Sequence, residues 1–366
     1  MTAPKKLILV IGATGAQGSH VVDSLLQLAA NGSPSPYTVR AFTRNAKGKR
    51  AEGLAAKGAE LYEGSFMDFA TVLAALDGVY GVFACTDGFT VGDAKETYAG
   101  MRIFEMAKHA ARQKGVLKHF IWSSTPYSTA LGGYDPMYNA AHNDSKARVT
   151  AWLKSQPSEE HGLAWTSLSM GIYMDMLKLY MIGPMNVRAD GTRVFANPLN
   201  EGPIAVIALE DLGFWVRYSL DNRALSSGKD FQIASDWVSY HTLPEIFTRA
   251  TGLPAIYKPL SIDEWFSYFT NHDKPLANER AELDGPGDVS WVQNFTCWWH
   301  WWRDSSKLWP VDMEWIRSVH PGSLTVEAFF RKEVENGWKG RLDPSVLKNA
   351  EDGKGANANW AKMAKL

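Results

Sequence analysis

The sequence predicts an α/β chain, a Rossmann-type doubly wound parallel sheet with a smaller, interleaved C-terminal α+β lobe. Three observations carry this expectation. Lys6 to Ile11 is a continuous aliphatic run, as a strand buried on both faces requires. The run breaks at Gly12, Gly15 and Gly18, glycines at three-residue spacing, and resumes as a helical pattern. From there strand-like and helix-like stretches alternate as far as Met170, the signature of parallel strands joined by helical crossovers.

Taken in order, the turn Gly12-Ala13-Thr14-Gly15-Ala16-Gln17-Gly18 has the composition of a dinucleotide-binding turn. Its glycines let the backbone turn sharply, approach a pyrophosphate and pack the next helix on the strand, and that helix offers unpaired N–H groups to the phosphates. The expected cofactor contacts here are Gly12, Thr14, Gly15, Ala16, Gln17 and Gly18. A helix over His20 to Ala30 ends at Asn31-Gly32, where Pro34 and Pro36 forbid continuation. Tyr37 to Thr43 is the second strand, Glu52 to Lys57 a short helix closed by Gly58, and Ala59 to Glu63 the third strand. Phe69 to Leu76 is a helix closed by Asp77-Gly78, and Val79 to Ala84 the fourth strand. A helix over Ala94 to Lys114 leads through Gly115 to a fifth strand, His119 to Ser124, ending in hydroxyls.

Further on, the pattern predicts a helix from about Asp144 to Lys154, a strand at Ala164 to Met170 and a polar irregular region to about Pro203. Ile204 to Ile207, a helix near Asp211 to Leu220 and a strand around Asp230 to Ala234 read as interleaved with the first domain. The domain reading is therefore 1–170 with later strands from about 204–234, a substrate lobe over 171–348, and a loosely held tail over 349–366. No internal repeat is present.

Composition narrows the partners. The 366 residues are 45% hydrophobic, enough for a large core, and 38 basic residues nearly balance 39 acidic ones. Neither nucleic acid nor an anionic membrane surface is called for. Two distant cysteines, Cys85 and Cys297, argue against a disulfide scaffold and a cysteine metal site, and His300 and His320 show no convincing metal-ligand spacing with other histidines or carboxylates. A short polar start with no long apolar segment points to a cytoplasmic protein in a reducing compartment.

Cofactor choice turns on the residue type just past the second strand, where an acidic residue would bind a ribose 2′-hydroxyl and a basic one a 2′-phosphate. The strand ends in Arg44, with Lys47, Lys49 and Arg50 behind it. NADP(H) is favoured over NAD(H), the alternative being a solvated basic loop.

Several motifs in this order carry a family resemblance. The glycine turn, Val39-Arg40-Ala41-Phe42-Thr43-Arg44, Gly64-Ser65-Phe66-Met67-Asp68, Gly81-Val82-Phe83-Ala84 and His142-Asn143-Asp144-Ser145-Lys146 together resemble the NmrA-like family of atypical short-chain dehydrogenases. The likeness runs from about Lys5 to beyond Phe330 and includes Trp298-Trp299-His300-Trp301-Trp302-Arg303-Asp304, which is similar to fungal members. The resemblance implies a Rossmann domain, a smaller substrate lobe and NADP(H). The family includes reductases of carbonyls or activated double bonds and members thought to sense the NADPH pool.

The resemblance also distributes roles. Short-chain dehydrogenases have a tyrosine four residues before a lysine; here Lys146 is present and His142 stands in the tyrosine's place. Lys146 would contact the nicotinamide ribose. His142 could protonate a nascent alkoxide, although a cation beside Lys146 tends to lose its proton, and it could equally cap the helix. Tyr138, Tyr127 and Tyr173 are further acid candidates or substrate wall. Ser124, and less so Ser123, could polarise a carbonyl or hydrogen-bond the nicotinamide, or could satisfy strand-end backbone. By resemblance Asp68 accepts from the adenine amino group, Phe83, Ala84 and Thr86 line the nicotinamide ribose and diphosphate, and Gly171-Ile172-Tyr173-Met174 closes over the nicotinamide.

Seven tryptophans between Trp291 and Trp315 read mainly as lobe core, with one or two facing substrate. The functional expectation is an NADP(H)-dependent reductase of a carbonyl or enone in a small to medium apolar compound, in fungal specialised metabolism. The alternative is an NADP(H)-sensing regulator without turnover, and a homodimer or protein partner stays open.

Overall fold

The computed structural model describes residues 4–29, 32–159, 162–200, 202–279, 289–355 and 357–366. They form two compact units. The first contains the residues up to Thr125, Ser145–Ser169 and Leu209–Phe231; the second contains Pro126–Asp144, Met170–Ala208 and the chain from Gln232 onward.

The strands β1 (Lys6–Ile11), β2 (Tyr37–Thr43), β3 (Glu60–Glu63), β4 (Gly81–Ala84), β5 (His119–Ser124), β6 (Ala164–Met170) and β7 (Lys229–Ile233) form one sheet in the order β7-β6-β5-β4-β1-β2-β3. From β6 to β3 every pairing is parallel; Val10, for example, lies between Ala41 on β2 and Phe83 on β4. Burial on both faces explains the mostly apolar interiors of the central strands. The crossovers run outward in both directions from β1 and β4, so their carboxyl ends bound the crevice where this architecture takes its ligand. Both sheet edges are polar: β3 exposes Glu60 and Glu63, and β7 exposes Lys229 and Gln232.

Helices connect the strands: α1 (Ala16–Leu26), α2 (Lys49–Ala56), α3 (Phe69–Ala75), α4 (Asp93–Lys114), α5 (Ala141–Leu153) and α6 (Leu209–Asp221). One sheet face packs Leu9, Phe42, Val82, Phe120 and Trp122 against Val72, Ile103, Phe104, Val149 and Leu153. In the same unit α1 and α6 pack closely, and Gly213 permits it, because a Cβ there would stand 2.7 Å from the His20 carbonyl oxygen. The strands Tyr37–Thr43, His119–Ser124 and Ala164–Met170 have the expected limits. The first helix begins at Ala16, directly on the glycine turn, rather than at His20, and it ends at Leu26, where Gln27 turns extended, short of the expected Ala30; Ala30 and Asn31 lie outside the described residues.

The second unit is built from smaller pieces. One three-stranded sheet joins Asp236–Val238, Ile204–Ile207 and Ile172–Tyr173, another Ala255–Pro259, Arg193–Asn197 and Pro184–Val187. The stretch 171–203 is therefore not simply irregular; it holds short strands, of which Arg193–Asn197 is buried along its whole length. Leu209–Phe231 belongs to the first unit and Ile204–Ile207 to the second. The tryptophan segment forms α7 (Trp291–Leu308), opened by a capping box between Ser290 and Gln293. Trp299 and Trp301 are fully buried, and Trp265 stacks on Trp291 at 6.0 Å and meets Trp299 edge-on at 5.0 Å. Toward the chain's end Asn357–Ala358 pairs with Phe269–Thr270, and Met363 and Leu366 are buried.

Candidate dinucleotide site

The glycine turn is built around backbone proximity. Gly12 has φ +79°, and a Cβ there would lie 2.5 Å from the Cys85 carbonyl oxygen. A Cβ on Gly18 would lie 2.2 Å from the Gly12 oxygen, so α1 sits against the turn at a distance only glycine allows. The helix N-cap, Gly15, supplies no side-chain cap to the first N–H groups of α1. An uncapped helix start behind a cradle that any Cβ would fill fits a pyrophosphate. Gln17 is buried and its Oε1 accepts from Ser123 Oγ at 2.6 Å, which ties the turn to the end of β5. Thr14 Oγ1 lies 3.3 Å from Thr43 Oγ1, and Arg50 donates to the Thr14 carbonyl at 3.3 Å.

Arg44 comes directly after β2, exposed and without a hydrogen bond or ion pair among the described residues. Asp68 is the N-cap of α3: it accepts from the Thr71 N–H at 3.3 Å and the Thr71 hydroxyl at 2.6 Å, and these bonds hold its carboxyl below the usual range. Phe83 and Ala84 are fully buried in β4.

Past the end of β4 lies a polar cluster that sequence reasoning saw only in part. Lys146 Nζ donates to the Thr86 carbonyl at 2.7 Å, to Thr86 Oγ1 at 3.2 Å and to Glu96 Oε1 at 2.7 Å. Thr86 Oγ1 donates to the same Glu96 oxygen at 2.7 Å, and Ser145 Oγ donates to the other. Glu96 is fully buried. It lies on the apolar face of α4 with Ala99, Gly100, Ile103, Phe104 and Ala107, so a carboxylate in a helix's apolar stripe was the signal available.

The two strand-end serines point to different neighbours. Ser123 reaches the glycine turn through Gln17, while Ser124 is fully buried, accepts from Thr150 Oγ1 at 2.7 Å and donates to the Thr125 carbonyl at 3.3 Å. Thr150 also meets Ser167 at 2.8 Å, a hydroxyl chain inside the first unit.

The other candidates lie in the second unit. His142 stacks near Phe295, and both its backbone N–H, at 3.3 Å, and its Nδ1, at 2.9 Å, are directed at Asn294 Oδ1. An atom that accepts from a backbone N–H is the amide oxygen, so Nδ1 carries the proton in neutral His142. The neutral ring then has no proton on Nε2, and only the imidazolium could deliver one from there. Tyr138 donates to Asp304 at 3.1 Å and lies edge-on to Trp301; burial, then Asp304, push its pKa up. Tyr173 is half-buried at the end of a two-residue strand, and Gly171 before it admits the Ala205 carbonyl, which would be 2.4 Å from a Cβ. Tyr127 precedes a short helix, Ser128–Leu131. Asn294 and Asp304 were not singled out from the sequence, because neither has a local pattern linking it to residues about half the chain away. Among the described residues no group of histidines, cysteines and carboxylates could hold a metal, and no helix is long and apolar enough to cross a membrane.

The model of the NmrA-like family matches residues 4–287. This chain belongs to the NmrA-like family. It is 38% identical to an NmrA-like family domain-containing oxidoreductase of Aspergillus hancockii over 74% of this chain and 79% of that protein. It is 33% identical to an NAD(P)H azoreductase of Xenophilus azovorans over 76% and 86%. Among solved structures, NmrA, a negative transcriptional regulator, matches with TM-score 0.68 and 21% identity over 92% of this chain and 99% of that one. The NADPH-dependent quinone oxidoreductase of Escherichia coli, complexed with NADPH, matches with TM-score 0.63 and 18% identity over 90% and 100%. At those identities the two structures establish the shared fold, and the NmrA-like assignment rests on the sequence matches.

Proposed function

We propose that this NmrA-like chain is an NADPH-dependent reductase of a carbonyl or enone in a small to medium apolar compound. The observation that carries the reading is the pairing, in one unit, of a glycine cradle and uncapped helix start with a lysine ammonium fixed beside the exit of β4. A bound NADPH would supply hydride to the substrate. Gly12, Gly15 and Gly18 make room for the diphosphate, the start of α1 offers it N–H donors, and Arg44 is available for the 2′-phosphate. Lys146 is the residue for the nicotinamide ribose, held with its ammonium at the strand ends. Ser123, whose hydroxyl reaches Gln17, is better connected to the turn than Ser124, whose hydroxyl is engaged with Thr150. Of the proton donors, Tyr138 holds its proton on Asp304, so protonated His142 is the stronger candidate. Support also comes from the oxidoreductase and azoreductase relatives, and a role in fungal specialised metabolism would suit the Aspergillus similarity.

A regulator that binds NADP(H) without turnover is the second reading, favoured by His142 in place of the tyrosine of typical short-chain dehydrogenases and by the fold shared with NmrA. The deciding experiment is NADPH oxidation by the purified protein against aldehydes, ketones, enones, quinones and azo dyes, with NADPH affinity measured alongside. Turnover with any of them supports the reductase; tight NADPH binding and no turnover across the panel overturns it in favour of the regulator.

A further inference from the structure

We propose that Glu96 is a positioning residue whose carboxylate keeps Lys146 charged and fixed at the carboxyl end of β4, ready for a cofactor ribose. The inference rests on the cofactor reading above. A fully buried carboxylate is unfavourable unless it is paired and its oxygens accept hydrogen bonds. Glu96 meets both conditions through partners from separate segments: Lys146 Nζ at 2.7 Å, Thr86 Oγ1 at 2.7 Å and Ser145 Oγ. It lies in the first turn of α4, where the helix dipole favours a negative charge. Gly88 makes its space, since a Cβ there would stand 2.4 Å from Glu96 Oε2.

The pair is asymmetric. Glu96 is wholly enclosed, while the Lys146 side chain keeps 13% of its surface exposed. Two ammonium hydrogens have strong acceptors in the Thr86 carbonyl and Glu96, and the third contact, to Thr86 Oγ1, is longer at 3.2 Å. A ribose hydroxyl competes for that third hydrogen most easily. The Trp122 ring lies 5.7 Å from Nζ and contributes no charge. Among the neighbouring titratable groups, the Cys85 thiol, which burial pushes up, feels the charges of Lys146, Glu96 and Asp87, and the Asp87 carboxylate accepts from Phe89 N–H and the Thr90 hydroxyl. On the helix of Lys146 itself, His142 lies one turn earlier. Without Glu96 the ammonium would lose its balancing charge together with one of its two short hydrogen bonds.

The test compares the wild type, Glu96→Gln and Lys146→Ala by NADPH affinity from pH 7 to 9.5, with Tm recorded throughout. The wild type should bind with nearly constant affinity. Glu96→Gln, which keeps the side chain's shape, should lose about tenfold in affinity across that range as Lys146 deprotonates, and Lys146→Ala should bind weakly at every pH. A Glu96→Gln profile as flat as the wild type's, with only Tm lowered, overturns the proposal and leaves Glu96 a packing residue. A wild type that binds no NADPH overturns the cofactor reading and this inference with it. If Glu96→Gln fails to fold, acetic anhydride labelling of wild-type Lys146 against pH, read by mass spectrometry, decides. Protection beyond the titration of exposed lysines supports the pairing, and labelling in step with them overturns it.

Discussion

The two units of this chain bury different chemistry. In the first, several charged and hydroxyl groups are buried in hydrogen-bonded sets: Glu96 with Lys146, Ser123 with Gln17, and Thr150 with Ser124 and Ser167. In the second, the interior around α7 is aromatic, and the indole N–H groups of Trp299, Trp301 and Trp302 are buried without an acceptor among the described residues. Hydrogen-bonded sets fix atoms in place, which a cofactor site needs. Stacked rings supply area and tolerate small shifts, which suits a scaffold or an apolar pocket wall.

Four changes put that contrast at risk. Trp299→Ala should have the largest effect on stability, about 3–5 kcal/mol by chemical denaturation, because a fully enclosed indole leaves a cavity. NADPH affinity per folded molecule should stay unchanged, and a fall would show that the aromatic unit also shapes the cofactor site. Gly18→Ala should destabilise by about 3 kcal/mol and abolish measurable NADPH binding, since its methyl group collides with the turn's own backbone. Preserved binding in titration calorimetry would remove the turn from the cofactor site. Arg44→Ala should weaken NADPH by about 1.5–3 kcal/mol and NADH hardly at all. Equal losses for the two cofactors would leave Arg44 a solvated loop residue.

The fourth concerns pH. His119 is buried in β5, and desolvation, then the Arg223 charge, lowers its pKa to about 3. Its folded value lies below the unfolded one, near 6.5. The stabilisation from keeping it neutral is therefore complete above about pH 6.5 and is lost as pH falls toward 3, at up to about 1.4 kcal/mol per pH unit. Its Nε2 lies 2.7 Å from Thr166 Oγ1, which itself donates to the Ser226 carbonyl and so accepts from the ring. His119→Gln keeps a donor there and cannot charge. Urea unfolding between pH 4 and 7 should show a shallower loss for this variant, and parallel curves would place the acid sensitivity elsewhere.

The same contrast explains which elements are legible in the sequence. Short runs rich in β-branched, aromatic and aliphatic residues make the strands of the main sheet recognisable, which is why Tyr37–Thr43 and His119–Ser124 fall where the residue pattern puts them. The glycine spacing likewise reflects local backbone geometry. The second unit pairs strands as short as Ile172–Tyr173, too brief for any period to register, and so 171–203 reads as irregular. Partners such as Asn294 for His142 arise only from folding, and they decide which imidazole nitrogen holds the proton. Glu96 was within reach, since a carboxylate in an apolar helical stripe is conspicuous once the stripe is drawn.

The sheet's outer strands have a consequence for life at high concentration. An unpaired strand edge is a template on which another chain can assemble, and fibril growth begins at such edges. Here one margin presents the carboxylates of Glu60, paired with Arg40, and Glu63, and the other presents Lys229 and Gln232, polar groups that disfavour an added strand. Removing the two glutamates should leave folding almost untouched while making crowded solutions of the protein turbid.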